Sequence, residues 1–193
     1  DADIVEIIVY DVFSVADTVS KADGGTFDGN VTMAGTLATT GNATFSGEII
    51  TSTSGTSNVR IGENAGDALA SGGNENVLVG DEAGTALTTG DDNVAIGYRA
   101  LSTEDTGTRS VAIGHDALRV QNNDTTNYNV AVGFAAGEAV TTGLQNTLVG
   151  ALAGDALTDA DDNVAIGILA LSGDTQGSRS VAVGRGTLAT QNF

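Results

Sequence analysis

The chain has 193 residues, 40% hydrophobic but only 4% aromatic, with no Cys, Pro or Trp and a net charge of −18 from 25 acids against 7 bases. That charge argues against nucleic-acid binding, which needs Lys and Arg to neutralise phosphate, and against docking on anionic lipid. Without Cys there are no disulfides and no thiol chemistry, and no run of about 18 apolar residues exists to span a membrane. With so few large side chains, Ala, Val, Ile and Gly must fill the core, so a thin, layered core is expected. The chain opens at Asp1 rather than Met and reads as a piece of a longer or processed protein.

Residues 1–22 are the most apolar stretch. Val5, Ile8, Val12, Val15 and Val19 follow the three-four spacing of a coiled-coil seam, and β-branched residues at both seam positions favour three strands over two. The same stretch reads equally as a β-strand, since Val, Ile and Tyr dominate it. Two heptads are too short to stand alone, so this trimerising segment needs partners, most simply copies of itself.

Residues 23–56 begin with the turn signal Asp23-Gly24-Gly25. Short alternating pieces follow, with Gly29, Gly35, Gly41 and Gly47 spaced six apart. Such strands cannot form a core alone and predict an intertwined β-prism or triple-β shaft made by several chains.

Residues 57–193 repeat. Asn93-Val94-Ala95-Ile96-Gly97 has counterparts ending at Gly62, Gly80, Gly114, Gly133, Gly150, Gly167 and Gly184. The eight motif glycines are 18, 17, 17, 19, 17, 17 and 17 residues apart. Self-similarity at a short fixed period predicts a solenoid. Asp91 to Gly97 and Arg109 to Gly114 recur 70 residues later, at Asp161 to Gly167 and Arg179 to Gly184, so a block of four coils is duplicated. The motif Gly is expected to supply a backbone conformation or a close approach that a Cβ would forbid. Period-two alternation puts Val94 and Ile96 on one face, expected to fill the coil, and Asn93, Ala95 and Gly97 on the other, expected to pack closely on a neighbouring chain. Leu78 and Leu148 on that second face then predict an apolar seam between chains, and Arg60 marks the first coil as a boundary. After each motif Gly comes a small or apolar pair such as Ala83-Gly84 or Ala100-Leu101, read as a second short strand or a bend. Eight coils at about 4.8 Å each give a rod of roughly 40 Å.

Asn93 to Leu101 (NVAIGYRAL) and Ser110 to Leu118 (SVAIGHDAL) resemble the SVAIG-type repeats of trimeric autotransporter adhesin heads, and are still more similar to repeats of bacteriophage tail fibres and tail spikes. Lys21 to Gly29 resembles the KxGGTxxG phrase of phage fibre shafts with one residue inserted, and Asn42 to Gly47 looks like another. The resemblance implies an all-β homotrimer whose left-handed parallel β-rolls follow a β-prism shaft. It implies a structural and adhesive role on a virion, with other tail or baseplate proteins and a host cell-surface glycan or protein as partners. The head of a bacterial surface adhesin is the alternative, and a polysaccharide-degrading spike a further one. A chaperone domain, if present, would lie beyond Phe193.

Candidate sites are few. His115, the sole histidine, precedes Asp116 but occupies a variable repeat position, so no catalytic residue is assigned and no enzyme is expected. With one His and no Cys, most hydrolytic templates lack parts. Asp91-Asp92 and Asp161-Asp162 precede strands, where stacked carboxylates could hold Ca²⁺; the nonapeptide calcium pattern is absent, so they read as solvated turns and no metal or cofactor is assigned. Thr does not recur at a fixed coil position, which argues against an ice-binding solenoid. Tyr98, Arg99, Tyr128 and Phe134 are rare large side chains among small ones. They are the candidate receptor contacts, with packing between coils or chains as the competing reading.

Overall fold

A computed structural model describes residues 55–190. The segment 1–22 and nearly all of the shaft 23–56 lie outside the described residues. The described part is all-β: eight three-residue strands form one parallel sheet in sequential order. They are β1 (Val59–Ile61), β2 (Val77–Val79), β3 (Val94–Ile96), β4 (Val111–Ile113), β5 (Val130–Val132), β6 (Thr147–Val149), β7 (Val164–Ile166) and β8 (Val181–Val183). Each strand pairs with the next in the register of the repeat, as in Val94↔Val111, Ala95↔Ala112 and Ile96↔Ile113. This is a parallel β-solenoid, and no helix occurs among the described residues.

Each strand ends at its motif Gly. Gly97 has φ +129° and Gly114 φ +136°, a region that residues with a Cβ rarely enter. A Cβ on Gly114 would lie 2.2 Å from the Gly133 carbonyl oxygen, so each coil rests against the next backbone at this point. Two residues later the chain enters the left-handed region, at Glu82, Arg99, Asp116, Ala135, Leu152 and Leu169, with φ between 50° and 58°. The small or apolar pair that follows lies in a turn, not a second strand.

The strand faces are the reverse of the sequence expectation. Ala95, Ala112, Ala131, Ala165, Leu78 and Leu148 are fully buried inside the coil, while the flanking Val and Ile residues point outward and are half-buried or exposed. The cause is the residue just before each strand. Asn58, Asn76, Asn93, Asn129, Asn146 and Asn163 are buried, and a buried amide must find partners. The Nδ2 groups of Asn76, Asn93 and Asn146 donate across the coil to the carbonyls of Gly90, Gly107 and Ala160 at 2.8, 2.9 and 2.7 Å. Their Oδ1 atoms accept from the backbone N–H of Asn93, Ser110 and Asn163 in the next coil at 3.0, 2.9 and 3.0 Å. Satisfying that ladder turns Asn93 inward. Period-two alternation then brings Ala95 in and forces Val94 and Ile96 out. Leu78 and Leu148 are therefore core residues and not a seam between chains.

Interior volume comes from three slots per coil, at the strand centre and at the seventh and tenth residues after the strand's first residue. The coils of β2 and β6 use Leu78, Gly84 and Leu87, and Leu148, Gly154 and Leu157. The coils of β3, β4 and β7 place Ala95, Ala112 and Ala165 at the strand centre and Leu101, Leu118 and Leu171 at the second slot. The backbone is the same in both types: Gly154 has φ +58° and Leu171 φ +57°. A Cβ on Gly154 would lie 2.7 Å from Leu148 Cδ2, so Leu at the strand centre demands Gly across the coil. In β1 the strand centre is Arg60, whose Nε donates to the Ala65 carbonyl of its own turn.

Candidate functional site

The outward side carries two neighbouring features, an apolar strip and an aromatic column. The strip is built by the outward pairs of all eight strands, from Val59 and Ile61 to Val181 and Val183. Ile61 is 59% exposed, Ile166 40% and Val181 68%. At about 4.8 Å per coil the strip runs about 34 Å along the stack. Between these ends the strip residues are half-buried, and Thr147 is the one polar side chain among them.

The column begins one residue past the motif Gly, where the repeat brings equivalent positions of successive coils together. Tyr98 and His115 have ring centroids 5.0 Å apart, and His115 and Phe134 5.3 Å, all tilted. Tyr98, His115 and Phe134 are exposed. The residues after Tyr98 and His115 carry charge, whereas Ala135 follows Phe134. Arg99 lies 5.7 Å from the Tyr98 ring centroid and pairs with Glu82 at 3.7 Å and Asp116 at 3.8 Å. Asp116 Oδ2 is 2.9 Å from His115 Nδ1, and its Oδ1 is 3.6 Å from Arg119 Nε. Arg119 donates through Nε and Nη2 to Glu138 Oε1 at 3.0 and 2.8 Å. Further along, Asp155 has its carboxyl pKa raised, first by burial and then by the negative charge of Glu138, against a lowering backbone hydrogen bond.

Of the four candidate contacts, Tyr98, Arg99 and Phe134 thus fall in one patch, joined by His115. Tyr128 does not. It precedes the Asn129 ladder position in another column, with the Arg109 guanidinium 6.0 Å from its ring centroid and Arg109 in turn 3.3 Å from Asp92. Arg119 and Glu138 belong to the patch but were not singled out from sequence; Asp116 was weighed there only as the neighbour of His115, and aligning coils on their motif glycines would have placed it beside Arg99.

The paired aspartates divide their roles. Asp91 Oδ1 accepts from the Asn74 backbone N–H at 2.7 Å and Asp161 Oδ1 from that of Leu144 at 2.7 Å. Asp92 and Asp162 face Arg109 and Arg179 at 3.3 and 3.7 Å. Among the described residues no group of three or more His, Cys, Asp or Glu side chains is placed to hold a metal ion, and no helix is long and apolar enough to cross a membrane. No protein-family model, curated protein or solved structure matches the chain.

Proposed function

We propose that the chain is a structural and adhesive fibre of a virion, a phage tail fibre in type, built as a homotrimer of left-handed β-rolls behind a β-prism shaft. The observation that carries this reading is the apolar strip. An outward face of Val and Ile on eight consecutive strands, interrupted only by Thr147, is poorly suited to water but well suited to the same face of further copies. Self-association also suits the charge, because the strip has no acids on it and so brings uncharged surface to the centre while the acidic turns stay outside. Light scattering on the size-excluded chain tests it: three times the 19.2 kDa monomer is expected. Val111→Lys with Ile113→Lys, in the middle of the strip, is expected to shift that mass to the monomer. A native monomer would overturn the reading.

The patch of Tyr98, His115 and Phe134, with Arg99 and Asp116 beside it, is the receptor contact in this proposal. Tyr98→Ala with Phe134→Ala is expected to lower adsorption to intact bacterial cells without changing the oligomer mass. Unchanged adsorption would remove the patch from the receptor site.

A further inference from the structure

A solenoid of near-identical coils has a register problem, because each coil offers its neighbours almost the same backbone and the same Ala and Leu surface. The third interior slot breaks that uniformity. Along the stack it holds Leu69, Leu87, Glu104, Gln121, Val140, Leu157 and Asp174, all buried. Two of these seven are carboxylates and one is an amide, at a position that otherwise takes an aliphatic side chain.

Glu104 is fully buried and its partners come from two coils. Its Oε1 accepts from the backbone N–H of Gly107 in its own coil at 2.9 Å and of Asn123 in the next at 3.2 Å. Its Oε2 accepts from Gln121 Nε2 at 2.9 Å and Asn127 Nδ2 at 3.1 Å, both from the next coil. Gln121 also mends the asparagine ladder where Ser110 replaces Asn. Its Nε2 donates to Ser110 Oγ at 2.8 Å, and its Oε1 accepts from Asn129 Nδ2 at 2.8 Å. Glu104, Ser110 and Gln121 therefore form a matched set. The coil of β4 supplies three of the four donors, and no other described coil carries that combination.

We infer that this set is a register lock: it matches the β3 coil to the β4 coil and sets it against the β5 coil that a one-coil slip would offer. A slip by one coil would set the Glu104 carboxylate against Val140 and remove the side-chain donors of Gln121 and Asn127. A buried carboxylate stripped of its partners is far more costly than a mismatch of aliphatic side chains. Buried polar groups that fix register at some cost in stability are the best-attested use of such groups. The sequence repeats the acid, the serine and the glutamine 70 residues on, as Asp174, Ser180 and Gln191. Asp174 is again fully buried, with Oδ1 accepting from the Gly177 N–H at 2.8 Å. The inference concerns the fold of one chain and holds whether or not three chains assemble.

Coil deletion tests it in the full chain. Removing residues 110–128 joins Arg109 to Asn129 and excises the β4 coil; removing 146–162 joins Gln145 to Asn163 and excises the β6 coil. Both deletions keep the ladder and shorten the stack by one strand. The lock predicts that the 146–162 deletion keeps a cooperative thermal transition, because Val140 then meets Asp174 as Leu157 did. The 110–128 deletion should melt roughly 6–20 °C lower still, from the loss of a buried charge's partners. Adding Glu104→Leu to the 110–128 deletion should restore the midpoint to that of the 146–162 deletion. Equal midpoints for the two deletions, or no rescue by Glu104→Leu, would overturn the inference.

Discussion

Exchange of bulk across a single coil is the sharpest prediction of the packing. Leu148 is fully buried, and Gly137 and Gly154 are the places its methyl groups occupy: a Cβ on either would lie 2.7 Å from a Leu148 Cδ atom. Leu148→Ala alone removes that bulk and should cost about 2–5 kcal/mol. Gly154→Leu alone crowds Leu148 and Leu157, worth about 1–3 kcal/mol of overpacking, and adds about 1–2 kcal/mol for a left-handed residue with a Cβ. The double variant rebuilds the first two slots of the β7 coil, where Ala165 sits across from Leu171 at φ +57°, but keeps Leu157 where that coil has Asp174. The left-handed term and the part of the crowding that falls on Leu157 then remain, so its loss should be about 2–3 kcal/mol. Guanidinium unfolding of the four proteins, closed as a cycle, gives the coupling directly. Expected is a double variant more stable than either single one, with at least ~2 kcal/mol of favourable coupling. A double variant whose loss equals the sum of the two single losses would refute the three-slot account of the core.

Two further outcomes follow from local geometry. Gly114→Ala must strain its backbone and push on the Gly133 carbonyl, whereas Gly184→Ala, with no atom nearer than 3.4 Å, meets only the backbone strain. Gly114→Ala should therefore lower the unfolding midpoint well beyond Gly184→Ala, and equal shifts in a thermal melt would contradict the close approach of the coils. Asp155 is the titration case. Its pKa is raised in the fold, so the folded chain holds the proton more tightly than the unfolded one and the group's penalty is felt only when it is ionised. The penalty is full above the raised folded value, fades as pH falls, and vanishes below the ordinary carboxyl value. Asp155→Asn should accordingly be more stable than the parent at neutral pH, with the gap closing as pH falls through that window. A gap constant with pH in chemical denaturation would show that ionisation of Asp155 is not its cause.

Periodicity carried most of the architecture. The motif glycines at intervals of 17 to 19 residues and the β-branched pairs before them are enough to place eight strands in one stacked solenoid, because a chain that repeats at this length can bury itself only against its own copies. Alternation also determined that residues 94 and 96 share a face and residue 95 the other. It could not say which face looks inward. Hydropathy alone turns Val94 and Ile96 in; the tertiary structure turns them out, because the Asn93 amide finds its acceptor and its donor only across the coil and in the next coil. The same inversion moves Leu78 and Leu148 from an expected seam to the core and leaves the Val and Ile strip as the outward surface. Burial of Glu104 was likewise invisible in a chain so rich in acids, since its four donors are brought together only by stacking. Tyr98, His115 and Phe134 meet for the same reason: residues about 17 apart in sequence become neighbours only when one coil lies on another.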